Sequence, residues 1–379
     1  MKILLVDHAP FFGGAESFLL DLASALNRKE FTPTIVTDPR SPVLERFRAS
    51  GTPVLTTPLP QINRNPIFLW HLFRTGSRLA QVARGARADV MHTFTVRTHL
   101  IGAIASKMSG VPVLWRVCDD TLPRWAASLF GNVPNCIVAV SKYIAAFYPS
   151  LRFDGFAPDG ARPPIAISRD EARIKLGLQS NDLVIAHVGR LVRWKGQDIF
   201  IRGLARAAHT MPNLRGLIVG AWHKEDNQPG PLGGGEAYSN ELRALAAQLK
   251  VPIAFAGFLS EPGVVYAAAD IVAHTSTLPE PFGRTVIEAM MYGKPVIGAN
   301  AGALPEIVID GQTGILTQPG DAEAFANAVV QLASEQARWQ MGKAGRDRAL
   351  SEYTLETMTR RMEHFYRMTT NKRMLSNNV

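Results

Sequence analysis

At 379 residues, with 46% hydrophobic and 19% charged side chains, the chain has the composition of an ordinary soluble protein and is long enough for two cores. No apolar run approaches the roughly 20 residues that a bilayer-spanning helix needs, which excludes an integral helical membrane protein. The formal net charge of +9 favours acidic partners, while the two cysteines, Cys118 and Cys136, lack metal or redox spacing and fit a reducing cytoplasm.

The N-terminus reads MKILLVDHAPFFGG, with an apolar stretch only from Ile3 to Val6 before Asp7. That is too short for the apolar region of a secretory leader and predicts a first buried strand. Gly13-Gly14-Ala15-Glu16 then leads into a helix over Glu16–Leu26, with Phe18, Leu19, Leu22 and Leu26 on one face. Further strands are predicted at Thr34–Thr37, Asp89–His92, Val113–Val117 and Ile137–Val140. Between Arg64 and Lys107 lie Arg74, Arg78, Arg84, Arg87 and Arg97 against a single acid, Asp89, and the same region holds PIFLWHLF from Pro66 to Phe73. Basic residues beside apolar aromatics suit an anionic membrane surface; the plainer reading is a helix packed on its own sheet with its arginines solvated. No nucleic-acid-binding motif accompanies the charge.

FDGFAPDGARPPIAISRDEARIKLGL, rich in Pro, Gly and Asp, reads as a linker running into a short helix and places a boundary near residue 165. This gives a first domain over 1–165 and a second over 166–360. The second carries strands at Val184–Val188, Leu217–Val219, Ile253–Ala256, Ile271–His274 and Val296–Gly298. Strand-helix alternation with continuous apolar strands implies parallel sheets covered on both faces. Both halves open as strand, glycine-containing loop and helix. The expected fold is therefore α/β, two Rossmann-like domains facing across a cleft, with ligands at the C-terminal ends of the strands.

Two places in the second half could carry chemistry. Gly189-Arg190 follows a strand, and Lys195-Gly196 lies five residues on, so two cations stand before a helix start where phosphate binds well. PEPFGRTVIEAMMYG puts Glu280 in a loop ahead of Pro281 and Glu288 near the second turn of a helix over Arg284–Tyr292. A sugar nucleotide would use the whole arrangement. The helix start (Phe282, Gly283, Arg284, Thr285) would take the diphosphate, one carboxylate would orient the sugar, and the other would accept ribose hydroxyls. Base contacts are expected around Gly257-Phe258. No DxD spacing or His/Asp cluster suggests a metal, and no cofactor is expected beyond the nucleotide-sugar co-substrate. A departing diphosphate would then depend on Arg190, Lys195 and the helix start.

These residues resemble glycosyltransferase family 4, of the GT-B fold, over nearly all of the chain. Glu280 to Glu288 resembles the family's E-x7-E element, Arg190 and Lys195 its diphosphate-binding pair, and Gly13-Gly14-Ala15-Glu16 its N-terminal GGAE loop, whose amides approach donor phosphate or acceptor. AVSKYIA at 139–145 and AGALPEIVIDGQTGIL at 301–316 also have counterparts. SEYTLETMTRRMEHFYRM resembles the C-terminal stretch that crosses back, with a helix over about 360–379 on the first domain. Two positions depart from the pattern. Cys118-Asp119 stands where the family has a sugar-contacting His before Asp, and Asp154-Gly155 is the nearest candidate for its Asn-Gly. His92 matches the first His of an H-x-H pattern whose second position is Phe94 here, so His92, Cys118 and Asp119 are possible sugar or acceptor contacts.

The resemblance implies a retaining, metal-independent glycosyltransferase with Glu280, Arg190 and Lys195 as its chemical residues. Its acceptor would be a saccharide or a lipid-linked saccharide of envelope, exopolysaccharide or glycolipid synthesis, held near Gly13-Gly14 and a loop over 60–74. Such an enzyme would be cytoplasmic, either free or peripheral on the inner face of the plasma membrane through the basic 64–107 region. Cys118 keeps open a non-catalytic nucleotide-sugar or saccharide-binding protein, and a sugar-nucleotide epimerase is a further alternative. A pyridoxal-type phosphorylase lacks an evident cofactor lysine, and a dinucleotide oxidoreductase lacks G-x-G-x-x-G with a downstream acid.

Overall fold

The computed structural model describes residues 1–8, 11–59, 68–131, 135–223, 226–227, 230 and 232–376. Arg64, Pro66 and most of the expected acceptor loop, at 60–67, lie outside the described residues. The chain divides into two compact units, Met1–Gly160 together with the chain from Leu355 onward, and Ala161–Thr354.

The first unit is built on a parallel sheet of seven strands among the described residues: β1 (Lys2–Val6), β2 (Thr32–Thr37), β3 (Val54–Thr56), β4 (Val90–Thr93), β5 (Val113–Val117), β6 (Cys136–Ala139) and β7 (Gly155–Phe156), in the order β3-β2-β1-β4-β5-β6-β7. Side chains alternate across a strand, and β1 uses both faces. Ile3 and Leu5 join a core with Phe18 and Leu22 of the helix Gly14–Ala25 and with Met358, Met362 and Tyr366 of the helix Leu355–Ser376. Leu4 and Val6 join another with Leu79 and Ala83 of the helix Phe68–Gly85 and Ile101 of the helix Val96–Ser109. Burial on both faces is why the strand reads as an unbroken apolar run, each large side chain contributing about 1.5–3 kcal/mol.

The second unit repeats the plan with β8 (Leu183–Val188), β9 (Leu214–Val219), β10 (Ile253–Gly257), β11 (Ile271–His274), β12 (Val296–Ala299) and β13 (Gly314–Thr317), ordered β10-β9-β8-β11-β12-β13 and parallel throughout. Its core packs Phe200, Ile201 and Leu204 of the helix Gln197–Ala208 with Phe325 and Val329 of the helix Ala322–Gln331 against Ile185, Ile218, Ile271 and Ile297. Two parallel Rossmann-like sheets make this the GT-B fold.

In each sheet the winding reverses once, at β1/β4 and at β8/β11. A ligand crevice opens outside the C-terminal ends of the strands at such a reversal. It flanks Gly13-Gly14 and Phe94 in one unit and Gly189–Lys195 and Thr275–Glu280 in the other. Three strands were not expected from the sequence. β3 and β13 are short edges, and β7 is a two-residue pairing inside the stretch read as a linker, beside β6.

Candidate active site

In the second unit the chain leaves β8 through Gly189–Val192, makes one tight turn at Arg193–Lys195 and enters the helix Gln197–Ala208. The turn ends at Gly196, which has φ +67° and lies so close to the residue after β11 that a Cβ there would sit 2.0 Å from the Thr275 carbonyl oxygen. Only glycine allows this approach. Thr275 Oγ1 donates to the Gly196 carbonyl at 2.7 Å, fastening the two loops together.

This fastening brings Lys195 to Glu280. Lys195 Nζ lies 3.0 and 2.8 Å from the two carboxylate oxygens, and also over the Trp194 ring at 4.3 Å. His274 Nε2, at the end of β11, is 3.3 Å from Glu280 Oε2, and Ser276 Oγ is 3.4 Å from the same oxygen. Burial by itself would raise the Glu280 carboxyl; the Lys195 ammonium and the His274 contact outweigh it and hold the group well below the ordinary carboxylate range. Glu280 is therefore an ionised, acceptor-only group. His187, near the end of β8 and in register with Ala273 of β11, sets the Lys195 side of the pair, with Nε2 3.1 Å from the Lys195 carbonyl oxygen. Burial lowers His187 to about 3.

Arg190 stands on the same loop but has another partner. Its Nη1 donates to Asp226 Oδ1 at 2.9 Å, and Gln197 Nε2 fixes its carbonyl at 2.7 Å. Gly283, with φ +116°, opens the helix Arg284–Met291 without a side-chain cap. Glu288 is held at both oxygens, by Tyr266 Oη at 2.8 Å and by Arg284 Nε at 2.9 Å. Phe282, expected beside the donor, is buried with its ring 6.0 Å from that of Tyr353, so its side chain serves packing. Thr285 is half-buried on the first turn. Gly257, at the end of β10, lines a cavity of about 170 Å³ with Leu191, Gly220, Trp222 and Arg243, and Phe258 beside it is 60% exposed. A larger cavity, about 740 Å³, lies at the opposite strand ends, beside Leu183, Asp270 and Pro295, and does not include the Lys195–Glu280 pair.

In the first unit the Gly13 amide donates to Glu16 Oε2 at 2.7 Å, so Glu16 folds back over the start of its own helix while Gly14 stays exposed. Burial and the neighbouring Asp7 push the Glu16 carboxyl up to about 8. His92 is the residue read from the sequence as a sugar or acceptor contact. It is fully buried, with Nδ1 2.7 Å from Tyr366 Oη and its ring against Phe94, because Tyr366 crosses the strand there. Cys118 is partly buried and its Sγ accepts from Arg116 Nη1 at 3.0 Å, with burial pushing the thiol up to about 12. The same Arg116 reaches on to a buried Asp159. Asp119 accepts from the Thr121 amide at 3.0 Å, and burial raises its carboxyl.

The sequence reading missed His274, His187, Ser276, Asp226 and Tyr266. The first three sit at strand ends or beside the glutamate, where switch-point position was a usable signal. Asp226 and Tyr266 lie 36 and 22 residues from their partners, and spacing carries no trace of them. Among the described residues no group of three His, Cys, Asp or Glu is placed to hold a metal ion, and no helix is long and apolar enough to cross a membrane.

Comparison with known proteins agrees with this geometry. The family model described as glycosyl transferases group 1 matches residues 168–348, and the glycosyl transferase 4-like domain matches residues 13–146. The D-inositol 3-phosphate glycosyltransferase of Corynebacterium aurimucosum is 34% identical over 236 residues, 62% of this chain and 51% of the relative. That of Corynebacterium kroppenstedtii is 28% identical over 311 residues, 78% of this chain and 65% of the relative. The chain thus spans between half and two thirds of the length of these curated relatives. Among solved structures, Anabaena HepE in complex with UDP-glucose superposes with a TM-score of 0.79 at 25% identity, covering 96% of this chain and 98% of that one. The sucrose-phosphate synthase of Thermosynechococcus elongatus shares the fold, with a TM-score of 0.79 at 22% identity over 97% of this chain and 98% of its own.

Proposed function

The chain belongs to the glycosyl transferases group 1, the family 4 enzymes of the GT-B fold, and from that membership we propose that it is a retaining, metal-independent glycosyltransferase using a nucleotide-diphosphate sugar. The observation that carries this reading is the Lys195–Glu280 pair at the β8/β11 reversal, 2.8 Å apart and set between two fastened loops. A cation there meets the developing negative charge of a departing diphosphate, and an ionised carboxylate beside it orients the sugar or stabilises the positive charge that builds on its ring. Arg190 supplies a second cation once it turns from Asp226, and the start of the helix after Gly283 adds partial positive charge. Glu288 accepts the ribose hydroxyls, and Gly257 and Phe258 receive the base by the small cavity. The leaving phosphate helps to deprotonate the acceptor hydroxyl on the same face, which retains the anomeric configuration.

HepE is bound to UDP-glucose at 25% identity, which makes UDP-glucose the first donor to test. The acceptor is a saccharide or a lipid-linked saccharide, in envelope or exopolysaccharide synthesis; the relatives' name adds inositol phosphate to the acceptors to assay. A second reading, that the chain works at an anionic membrane surface from the cytoplasmic side, is favoured by the exposed side chains of Leu69, Trp70 and Phe73 in the basic region.

Calorimetry with UDP, GDP and ADP, followed by donor hydrolysis and transfer assays on Arg190→Ala and Lys195→Ala, tests the enzyme reading. Loss of about 1.5–3 kcal/mol of nucleotide binding per cation, with turnover falling further, is expected. Activity within a few-fold of the parent in both variants would sink the assignment. Binding without turnover across donors and acceptors would favour a saccharide- or nucleotide-binding protein instead.

A further inference from the structure

Resting on the donor site proposed above, we propose that His274 is a positioning residue that keeps the Glu280 carboxylate in place when Lys195 turns to the donor's diphosphate. The carboxylate is held twice over in this structure. Lys195 Nζ contacts both oxygens, and His274 Nε2 and Ser276 Oγ approach Oε2 from the strand side at 3.3 and 3.4 Å. Glu280 engages two of the three N–H groups of the ammonium, leaving one for the oxygens of an incoming diphosphate. To neutralise that diphosphate, Lys195 must give up part of its hold. The carboxylate would then be a half-buried charge short of donors, which is costly unless other groups take over. His274 and Ser276 are the groups already in place. Their long contacts have room to shorten, as such contacts do when a substrate completes a site.

The hydrogen-bond pattern decides how His274 does this. Nε2 faces Glu280 Oε2 at 3.3 Å, which only accepts, and Ser276 Oγ at 3.5 Å, which can either give or take a hydrogen bond, so the carboxylate places the hydrogen on Nε2. Nδ1 is buried with no hydrogen-bond partner among the described residues, and a hydrogen there would be a buried donor without an acceptor. The ring is therefore the Nε2–H tautomer, and it steadies the carboxylate by donation. The titratable groups facing it are His187 on β8, Lys195 and Glu280, while its register neighbour on β12 is Gly298, which brings no charge. At 4% exposed, His274 does not itself reach the donor.

The test compares the parent protein with His274→Leu and His274→Gln, whose side-chain amide can donate from about where the imidazole Nε2 stood. His274→Leu should lower the kcat for UDP-glucose turnover about tenfold or more while the Kd for UDP stays within about threefold, and His274→Gln should recover most of the loss. A second arm needs no substrate. In a Lys195→Met background the carboxylate has already lost its cation, so His274→Leu should lower Tm by more than it does in the parent. Nitrogen NMR of the free protein should find the His274 hydrogen on Nε2. The proposal is overturned if His274→Leu keeps kcat within twofold, if His274→Gln is no better than His274→Leu, if the two Tm losses are equal, or if the hydrogen is on Nδ1. The donor-site reading fails separately, when Lys195→Ala leaves UDP, GDP and ADP binding unchanged, and the Tm and NMR arms still decide the role of His274.

Discussion

Lys195 and Glu280 are the two residues on which the proposed chemistry of the second unit turns, and their energetics follow from how little water reaches them, with side chains 14% and 15% exposed. Removing one member of such a pair strands the other, whereas removing both leaves no uncompensated charge. Lys195→Met should therefore destabilise the protein by about 3 kcal/mol at pH 7, and Lys195→Met with Glu280→Gln should recover much of that loss. Urea denaturation of the four proteins in the cycle measures it; losses that simply add would show that the pair is uncoupled. The pH dependence has a definite sign. The Glu280 carboxyl is lowered in the folded chain from its ordinary value of 4.5, so its contribution to stability is present above that value and is lost as pH falls through the folded value. The stability difference between parent and Glu280→Gln should accordingly narrow as the pH drops below about 4.5.

At the scale of the element, the segment Ala301–Leu316 acquires a role that its sequence alone did not suggest. Gly302, with φ +61°, packs so tightly against Glu280 that a Cβ would lie 2.3 Å from its carbonyl oxygen and 2.5 Å from its nitrogen, and the Ala303 amide donates to that carbonyl at 2.9 Å. The loop after β12 is thus the backboard of the glutamate. Gly302→Ala cannot be relieved by a flexible side chain, since backbone stands on the other side. It should destabilise by about 1–3 kcal/mol and lower turnover sharply by displacing Glu280. Gly311, at φ +70°, has open space around it, so Gly311→Ala should cost only about 1 kcal/mol of backbone strain and leave turnover within twofold. Equal activity in the two variants would argue against the backboard. The same contrast explains what the sequence disclosed. The inner strands β1, β5, β8 and β11 were legible because burial on both faces leaves an unbroken apolar run, and Glu280 and Glu288 because a proline, a glycine and a helical period bracket them. Edge strand β3 escaped because Leu55 and Thr56 are exposed and carry no such run. Fastenings such as Gly302 to Glu280 or Asp226 to Arg190 join residues that only the folded chain brings together.

Taken over the whole molecule, a net charge of +9 favours anionic partners, and the proposed membrane contact rests on the helix Phe68–Gly85. Leu72, Leu79, Ala80 and Ala83 of this helix are in the core, which satisfies the reading of a helix packed on its own sheet. Its first turns nevertheless hold Leu69, Trp70 and Phe73 at 72%, 52% and 58% exposure, and the Arg74 guanidinium lies 5.0 Å from the Trp70 ring centre. Apolar side chains beside cations suit the boundary between lipid headgroups and acyl chains, where burying each large side chain contributes about 1.5–3 kcal/mol and each nearby cation about 1 kcal/mol. Charge alone would give attraction that disappears at high salt; charge with insertion gives binding that salt weakens and does not abolish. The protein should therefore sediment with vesicles containing phosphatidylserine, less with neutral phosphatidylcholine vesicles, and partly even at about 0.5 M salt. Trp70→Asp with Phe73→Asp alters only exposed positions and should leave Tm within a few degrees while removing the salt-resistant fraction. Equal sedimentation of parent and variant, or no sedimentation of the parent with anionic vesicles, would show that this helix start is not a membrane contact.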